Sequence, residues 1–342
     1  HGEAPMDVLF LGKLYGGTYE AGGTFHRTGD AFLLPISLSQ LNLESLARDL
    51  PPLKKAQITG AISAKLVARK NSLGFDVEGT AESSRLSLNA QQEQLVSPAL
   101  DFKTDFKALT IKRFATVWRG SRVSGEGNAG IANPQNDHLS LRGRIERLSL
   151  AGFSDRIAAV RSEGLSAVAG GSWVLSGSRE NPELRFTLSS PSLRAATRKL
   201  SLSGILLTGR ATLSSLFLEQ LRFSLGKTPF SLAGSIQWPR NNNGIAWDIT
   251  GRFSGFPVAT LRQQGIISSD VAGTLNGEIA LTQRANSPLS SNRLRLSKSS
   301  LTSRGVYLRD INGSITQSGK TFSLQKIQGN VGEGRIELTG SI

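Results

Sequence analysis

Apolar residues recur at every second position in short runs along most of the chain. Examples are Ile62, Ala64, Leu66 and Ala68; Leu184, Phe186 and Leu188; Leu216 and Leu218; Leu294 and Leu296; and Ile336 and Leu338. Side chains alternate across a β-strand, so each run predicts a strand with one apolar and one polar face. Between the runs stand Lys70-Asn71-Ser72, Gly127-Asn128, Asn133-Pro134, Asn181-Pro182, Asn241 to Gly244 and Ser318-Gly319, all of turn-forming composition. The pattern predicts a mainly β chain of antiparallel strands, with one face of each sheet turned away from water.

Three stretches break the period of two and predict short helices: Leu43 to Leu50, Phe153 to Glu163, and Phe256 to Gln264. Asn42 suits the N-cap of the first, and Pro51-Pro52 is expected to stop it. Ser154 and Gly164 bracket the second; Pro257 and Gly265 bracket the third. Each helix leads into a related strand, beginning Ile58-Thr59-Gly60, Val168-Ala169-Gly170 or Val271-Ala272-Gly273. Further on, Leu141-Arg142-Gly143-Arg144-Ile145 matches Ile249-Thr250-Gly251-Arg252-Phe253. These matches define a degenerate repeat of about 100 to 110 residues. The expected division is 1–42 as strands of a preceding repeat, 43–152 as repeat one, 153–254 as repeat two, and 255–342 as a truncated repeat three. The chain is therefore expected to be a segment of a longer protein.

Strands of ~5 to 6 residues would number on the order of 20 to 25 in a chain this β-rich. A ten-residue helix is ~15 Å long and covers only a few strands spaced ~4.8 Å apart. Three such helices cannot shield the apolar face. It must close into a barrel, pack on a second sheet, or form a trough filled by something else, and an uncovered apolar face is usually a binding surface.

Charge and composition narrow the chemistry. Forty basic and twenty-six acidic residues give a net charge of +14, which favours anionic partners. The absence of cysteine excludes disulfides and thiolate chemistry. Only His1, His26 and His138 could supply imidazole, and no acidic cluster accompanies them, so no metal or cofactor is expected. No run approaches the ~18 apolar residues of a spanning helix, and the N-terminus has no signal-peptide pattern. Any anchor is expected to lie outside this segment.

Certain residues resemble a known family. Leu11-Gly12-Lys13-Leu14-Tyr15-Gly16-Gly17-Thr18-Tyr19, then Leu41-Asn42-Leu43-Glu44-Ser45-Leu46-Ala47-Arg48-Asp49-Leu50, then Ile58-Thr59-Gly60-Ala61-Ile62-Ser63-Ala64-Lys65-Leu66, resemble the AsmA-like repeat of Gram-negative envelope proteins. The stretch Gly305-Val306-Tyr307-Leu308-Arg309-Asp310-Ile311-Asn312-Gly313-Ser314-Ile315, with Phe322-Ser323-Leu324 and Val331 to Gly340, is similar to repeats of the related TamB proteins. The resemblance implies an elongated, curled, taco-like β-groove in the periplasm, held to the inner membrane by an N-terminal helix absent from this chain. It also implies bridge-like phospholipid transport and outer-membrane assembly. Its partners would be phospholipid acyl chains and an outer-membrane β-barrel protein. With it, the expected groove lining is Ile62, Ala64, Leu66, Leu184, Phe186, Leu188, Leu294, Leu296, Ile336 and Leu338. The alternative is a structural or interaction β-repeat with a closed core.

Other motifs carry less. Gly125-Glu126-Gly127-Asn128-Ala129-Gly130 spells a dinucleotide fingerprint, but no strand-helix-strand pattern surrounds it, and a glycine-rich strand and turn is expected. Asn312-Gly313-Ser314 is expected to be a hairpin turn rather than a glycosylation site. Asp101, Asp105, Asp137, Glu146 and Asp155 have no histidine or second acid at a catalytic spacing, so no enzyme is expected. Arg113, Arg119 and Arg122 lie near Phe114 and Trp118, but the aromatic residues are too dispersed to predict a nucleic-acid partner.

Overall fold

A computed structural model describes residues 6–25, 31–71, 74–88, 93–130, 138–155, 157–197, 200–238, 245–263, 270–285, 290–319 and 321–341. The expected features at His1, His26, Asn133-Pro134, Asp137, Asn241 to Gly244 and Gln264-Gly265 lie outside these residues. The chain forms two compact units, residues 1–152 with 172–182, and 153–171 with 183–342.

The first unit holds β1 (Met6–Leu14), β2 (Gly17–Phe25), β3 (Phe32–Asn42), β4 (Thr59–Asn71), β5 (Gly74–Glu82) and β6 (Arg85–Leu88). It continues with β7 (Glu93–Thr104), β8 (Ala108–Trp118), β9 (Ser121–Gly130) and β10 (His138–Ser149). Neighbours in the chain pair antiparallel, save that β5 and β6 lie end to end between β4 and β7. Strand β11 (Leu165–Ser178) is shared between the units. The second unit holds β12 (Pro182–Ala195), β13 (Leu200–Ala211), β14 (Ser215–Leu225), β15 (Thr228–Gln237) and β16 (Ala246–Pro257). It ends with β17 (Val271–Gln283), β18 (Ser290–Ser303), β19 (Val306–Ser318), β20 (Thr321–Val331) and β21 (Gly334–Ser341). There too each strand from β12 onward pairs antiparallel with the next.

Among the described residues each of these sheets is one layer thick. The substantial strand contacts within each unit all join hydrogen-bonded neighbours, and only short helices lie against the strands. Among the described residues there are four α-helices rather than the three expected: α1 (Leu43–Leu46), α2 (Pro51–Ala56), α3 (Ala158–Ser162) and α4 (Val258–Gln263). A 3-10 turn at Leu150–Phe153 precedes α3. The first expected helix, Leu43 to Leu50, is shortened to α1, and the unexpected α2 follows it. Asn42 caps α1 as anticipated, its Oδ1 accepting from the Ser45 amide at 2.9 Å. Pro51-Pro52, expected as a stop, instead opens α2, because proline has no amide hydrogen to lose in a first turn. Pro257 ends β16 and immediately precedes α4.

Residues Gln40, Arg147 and Gly255 have positive φ values of 56°, 57° and 68°, and each lies three residues before a helical turn, at Leu43, Leu150 and Val258. The spacings between positions 40, 147 and 255 are 107 and 108 residues, so the sequence repeat has a local backbone counterpart. Two turn assignments are corrected. Gly127-Asn128 and Asn312-Gly313-Ser314 lie inside β9 and β19, not in turns. Gly127 and Gly313 have φ values of 146° and 147° and face Leu141 and Leu296 across the ladder, where a glycine lets strands approach closely. The fingerprint-like glycines of β9 thus open no helix.

Candidate functional site

The pairing register joins single apolar residues into rows that cross each sheet. In the first unit one row runs Phe10, Ala21, Ile36 and Leu66, and continues Gly79, Phe102, Ile111, Gly127 and Leu141. In the second, Leu188, Leu207, Leu221 and Leu232 lead to Gly251, Ile279, Leu294, Ile315 and Leu324. A neighbouring row begins with Phe223, Phe230 and Phe253, whose rings stack at 5.2 and 5.4 Å, and continues through Gly277, Leu296 and Gly313. Directly paired residues share a face, so these rows make a continuous apolar surface on each unit.

That surface is only partly covered. Among the described residues fifteen hydrophobic side chains, five of them alanines, are buried, whereas twenty large ones are exposed. A closed sandwich of this length would reverse that balance.

In the first unit the surface deepens into a cavity of about 590 Å³. Its roof is Leu43, Leu46 and Leu53 of α1 and α2; its floor includes Ile62, Leu86, Leu100 and Phe114. The roof is positioned by polar contacts outside the cavity. Tyr15 donates its hydroxyl to Asp49 Oδ2 at 2.7 Å, and the Asn42 amide donates to the Tyr15 carbonyl at 3.0 Å. The Asp49 contact raises the Tyr15 phenol above its ordinary pKa. At the far wall, Trp118 donates Nε1 to Glu93 Oε2 at 2.8 Å, which leaves its indole ring lining the cavity. Arg119 clasps the same carboxylate with contacts of 3.0 Å and donates to the Gly152 carbonyl at 2.7 Å. Polar groups enter the lining at Glu82, Ser83 and Thr116. The volume lies within the usual ~300–1,000 Å³ of small-ligand pockets.

Next to this cavity Phe114 meets Trp173 of β11, with ring centroids 5.8 Å apart. Trp173 is 8% exposed, and its Nε1 has no hydrogen-bond partner.

The expected lining residues are distributed along both surfaces. Ile62 lines the cavity, Ala64 pairs with the cavity residue Ala81, and Leu66 belongs to the long row of the first unit. Leu184, Phe186 and Leu188 pair with Ala211, Gly209 and Leu207. Leu294 and the buried Leu296 alternate with exposed Arg293 and Arg295. Ile336 and Leu338 lie opposite Gly329 and Ile327, but β21 is exposed throughout, leaving these two 38% and 54% accessible. Sequence periodicity missed Leu43, Leu46, Leu53, Leu86, Leu95 and Trp118 as cavity residues. The i, i+3 spacing of Leu43 and Leu46 was the available signal for the roof.

Of the carboxylates considered for catalysis, Asp101 and Asp105 have structural surroundings. Asp105 Oδ1 accepts from the Lys107 and Ala108 amides at 2.9 and 2.8 Å, and these contacts lower its pKa. Asp101 pairs with Arg113 across β7 and β8. Phe114 and Trp118 line the cavity, while Arg119 is tied to Glu93 with its guanidinium 6.0 Å over the Trp118 ring. Among the described residues no group of three or more His, Cys, Asp or Glu side chains is arranged to hold a metal, and no helix is long and apolar enough to cross a membrane. No family model, curated protein or solved structure matches this chain.

Proposed function

We propose that the chain is a segment of a lipid conduit. The observation that carries this reading is a single-layered sheet in each unit, whose register-matched apolar face lacks a second layer among the described residues and, in the first unit, holds a cavity roofed by two short helices. Acyl chains lie along the apolar rows while polar headgroups remain at the open margin. Each methylene removed from water contributes ~0.8 kcal/mol, so a chain is held against the rows without a covalent step. Successive similar rows give it neighbouring places of similar energy, and movement is passive. No catalytic residue is part of this reading. The resemblance to AsmA-like and TamB repeats supports a periplasmic setting, an inner-membrane anchor in a segment outside this chain, and an outer-membrane destination that a β-barrel protein could serve.

The test is gentle purification followed by organic extraction and mass spectrometry. Retained phospholipid supports the conduit. A lipid-free protein, under conditions where a lipid-transfer control keeps its cargo, contradicts it and favours a structural repeat.

A further inference from the structure

The polar face of the second unit carries a different kind of row. The register joins Arg222 of β14, Ser231 of β15, Arg252 of β16, Glu278 of β17 and Arg295 of β18 as direct neighbours. These residues line a groove of about 1030 Å³. An adjoining hollow of about 520 Å³ shares Arg252, Glu278 and Arg295 and adds Arg293. Four guanidinium groups therefore meet one carboxylate. Glu278 holds Arg252, Oε1 to Nε at 3.0 Å. The other three arginines have no carboxylate within ion-pair distance among the described residues.

This imbalance is not a general property of the polar faces. In the first unit, Glu78 receives both Arg69 and Lys112, Asp76 lies 3.7 Å from Lys103, and Glu126 binds Arg142 at 2.6 Å. These four basic residues are matched by acids on neighbouring strands. In the second unit, the arginine row is flanked by Ser224, Ser254 and Ser297, which add no negative charge; the Ser254 hydroxyl donates to Asn276 Oδ1 at 2.9 Å. Arg222, Arg252 and Arg295 stand on alternate strands, about 9 to 10 Å apart along the row.

We propose that this groove binds a ligand bearing at least two phosphate groups, with guanidiniums of alternate strands as their receptors. Guanidinium binds phosphate oxygens in a planar, two-pronged geometry that a carboxylate-poor, serine-lined groove leaves available. Glu278 orients Arg252 without neutralising the row. Arg222 and Arg252 directly precede Phe223 and Phe253, so strand alternation turns their guanidiniums to the face opposite the apolar row, although Phe223, Phe230 and Phe253 also border the groove. The inference does not rest on the conduit reading, and its ligand is not the proposed acyl cargo. The phosphates can come from a soluble polyphosphorylated molecule or from the headgroups of an anionic bilayer.

Titration with inositol hexakisphosphate, whose phosphates project on opposite sides of one ring, and co-sedimentation with phosphatidylglycerol vesicles separate these sources. The variants are Arg252→Gln/Arg295→Gln and, as a control on the first unit's paired face, Arg142→Gln. The groove predicts inositol hexakisphosphate binding that weakens roughly tenfold or more in the double variant and is unchanged in the control. Vesicle capture with the same dependence identifies headgroups as the source; its absence identifies a soluble ligand. No binding of either probe, equal binding by the double variant, or an equal loss in Arg142→Gln would overturn the proposal. Tighter binding of a single-stranded oligonucleotide than of either phosphate probe would overturn it in favour of a nucleic-acid surface.

Discussion

Phe114 and Trp173 meet with their ring planes tilted by 47°, 5.8 Å between centroids, over a floor made by two glycines. A Cβ on Gly125 would lie 2.6 Å from the Phe114 ring and 2.9 Å from the Trp173 ring, and one on Gly143 would lie 2.5 Å from Trp173. Gly125, the first glycine of the fingerprint-like run in β9, is thus part of the space in which these rings pack. Gly125→Ala is expected to cost about 1–3 kcal/mol, the range for overpacking. Chemical denaturation measures the loss; an unchanged midpoint would mean that the rings part at no cost.

Glu93 accepts from both Trp118 and Arg119, and the Arg119 and Glu93 side chains are only 11% and 23% exposed. Glu93→Gln leaves a cation with a weaker partner in a partly buried setting. Stability is expected to fall by about 1–3 kcal/mol, with Trp118 fluorescence altered by the lost acceptor. Urea unfolding followed at the tryptophans checks both effects.

Acid should weaken both units. The Lys112 and Arg69 contacts lower Glu78, and Arg185 lowers Glu183, each below the ordinary carboxylate range. A folded-state pKa depressed in this way stabilises the fold above the unfolded-state pKa, near pH 4, and that contribution disappears as pH falls through the lower folded value. Thermal unfolding between pH 7 and pH 3 should therefore show midpoints that hold at the upper end and decline below about pH 4 to 5. Glu78→Gln should flatten part of the decline.

The cavity under α1 and α2 can be filled from its floor. Ala81 lines it opposite Ala64, and Ala81→Phe adds apolar volume where space exists. Retained lipid should drop several-fold while the β circular dichroism spectrum is kept. Lipid content unchanged by a folded Ala81→Phe variant would show that acyl chains do not use this cavity.

The strand class was legible because alternation survives in most strands: Leu294 and Leu296 point inward and Arg293 and Arg295 outward, as their order in the sequence requires. Caps were legible where a side chain acts locally, as Asn42 does. The cavity was less so because one-residue bulges reset the alternation. Gln40, Ser97, Lys298, Asp310 and Lys326 take positive φ values between 45° and 56°, and the ladder slips at each. Past Gln40 the inward positions pass from Ile36 and Leu38 to Leu41 and Leu43, and past Lys298 the inward side chain is buried Ser299. Polar residues at these kinks give no composition signal for a left-handed backbone. Asn312-Gly313 misled for a related reason: Asn312 braces the bulge, accepting from the Lys298 amide at 3.0 Å and donating to the Asp310 carbonyl at 2.6 Å.

The central claim is that the apolar side of each sheet holds lipid and the polar side does not. Photo-crosslinking residues at positions 66 and 294, each in a long apolar row, compare directly with positions 65 and 316 on the opposite face. The conduit predicts phospholipid adducts at 66 and 294 and none at 65 and 316, with Leu296→Asp reducing capture at 294 while the fold persists. Equal capture on both faces, or none at 66 and 294 in lipid-replete cells, would contradict it.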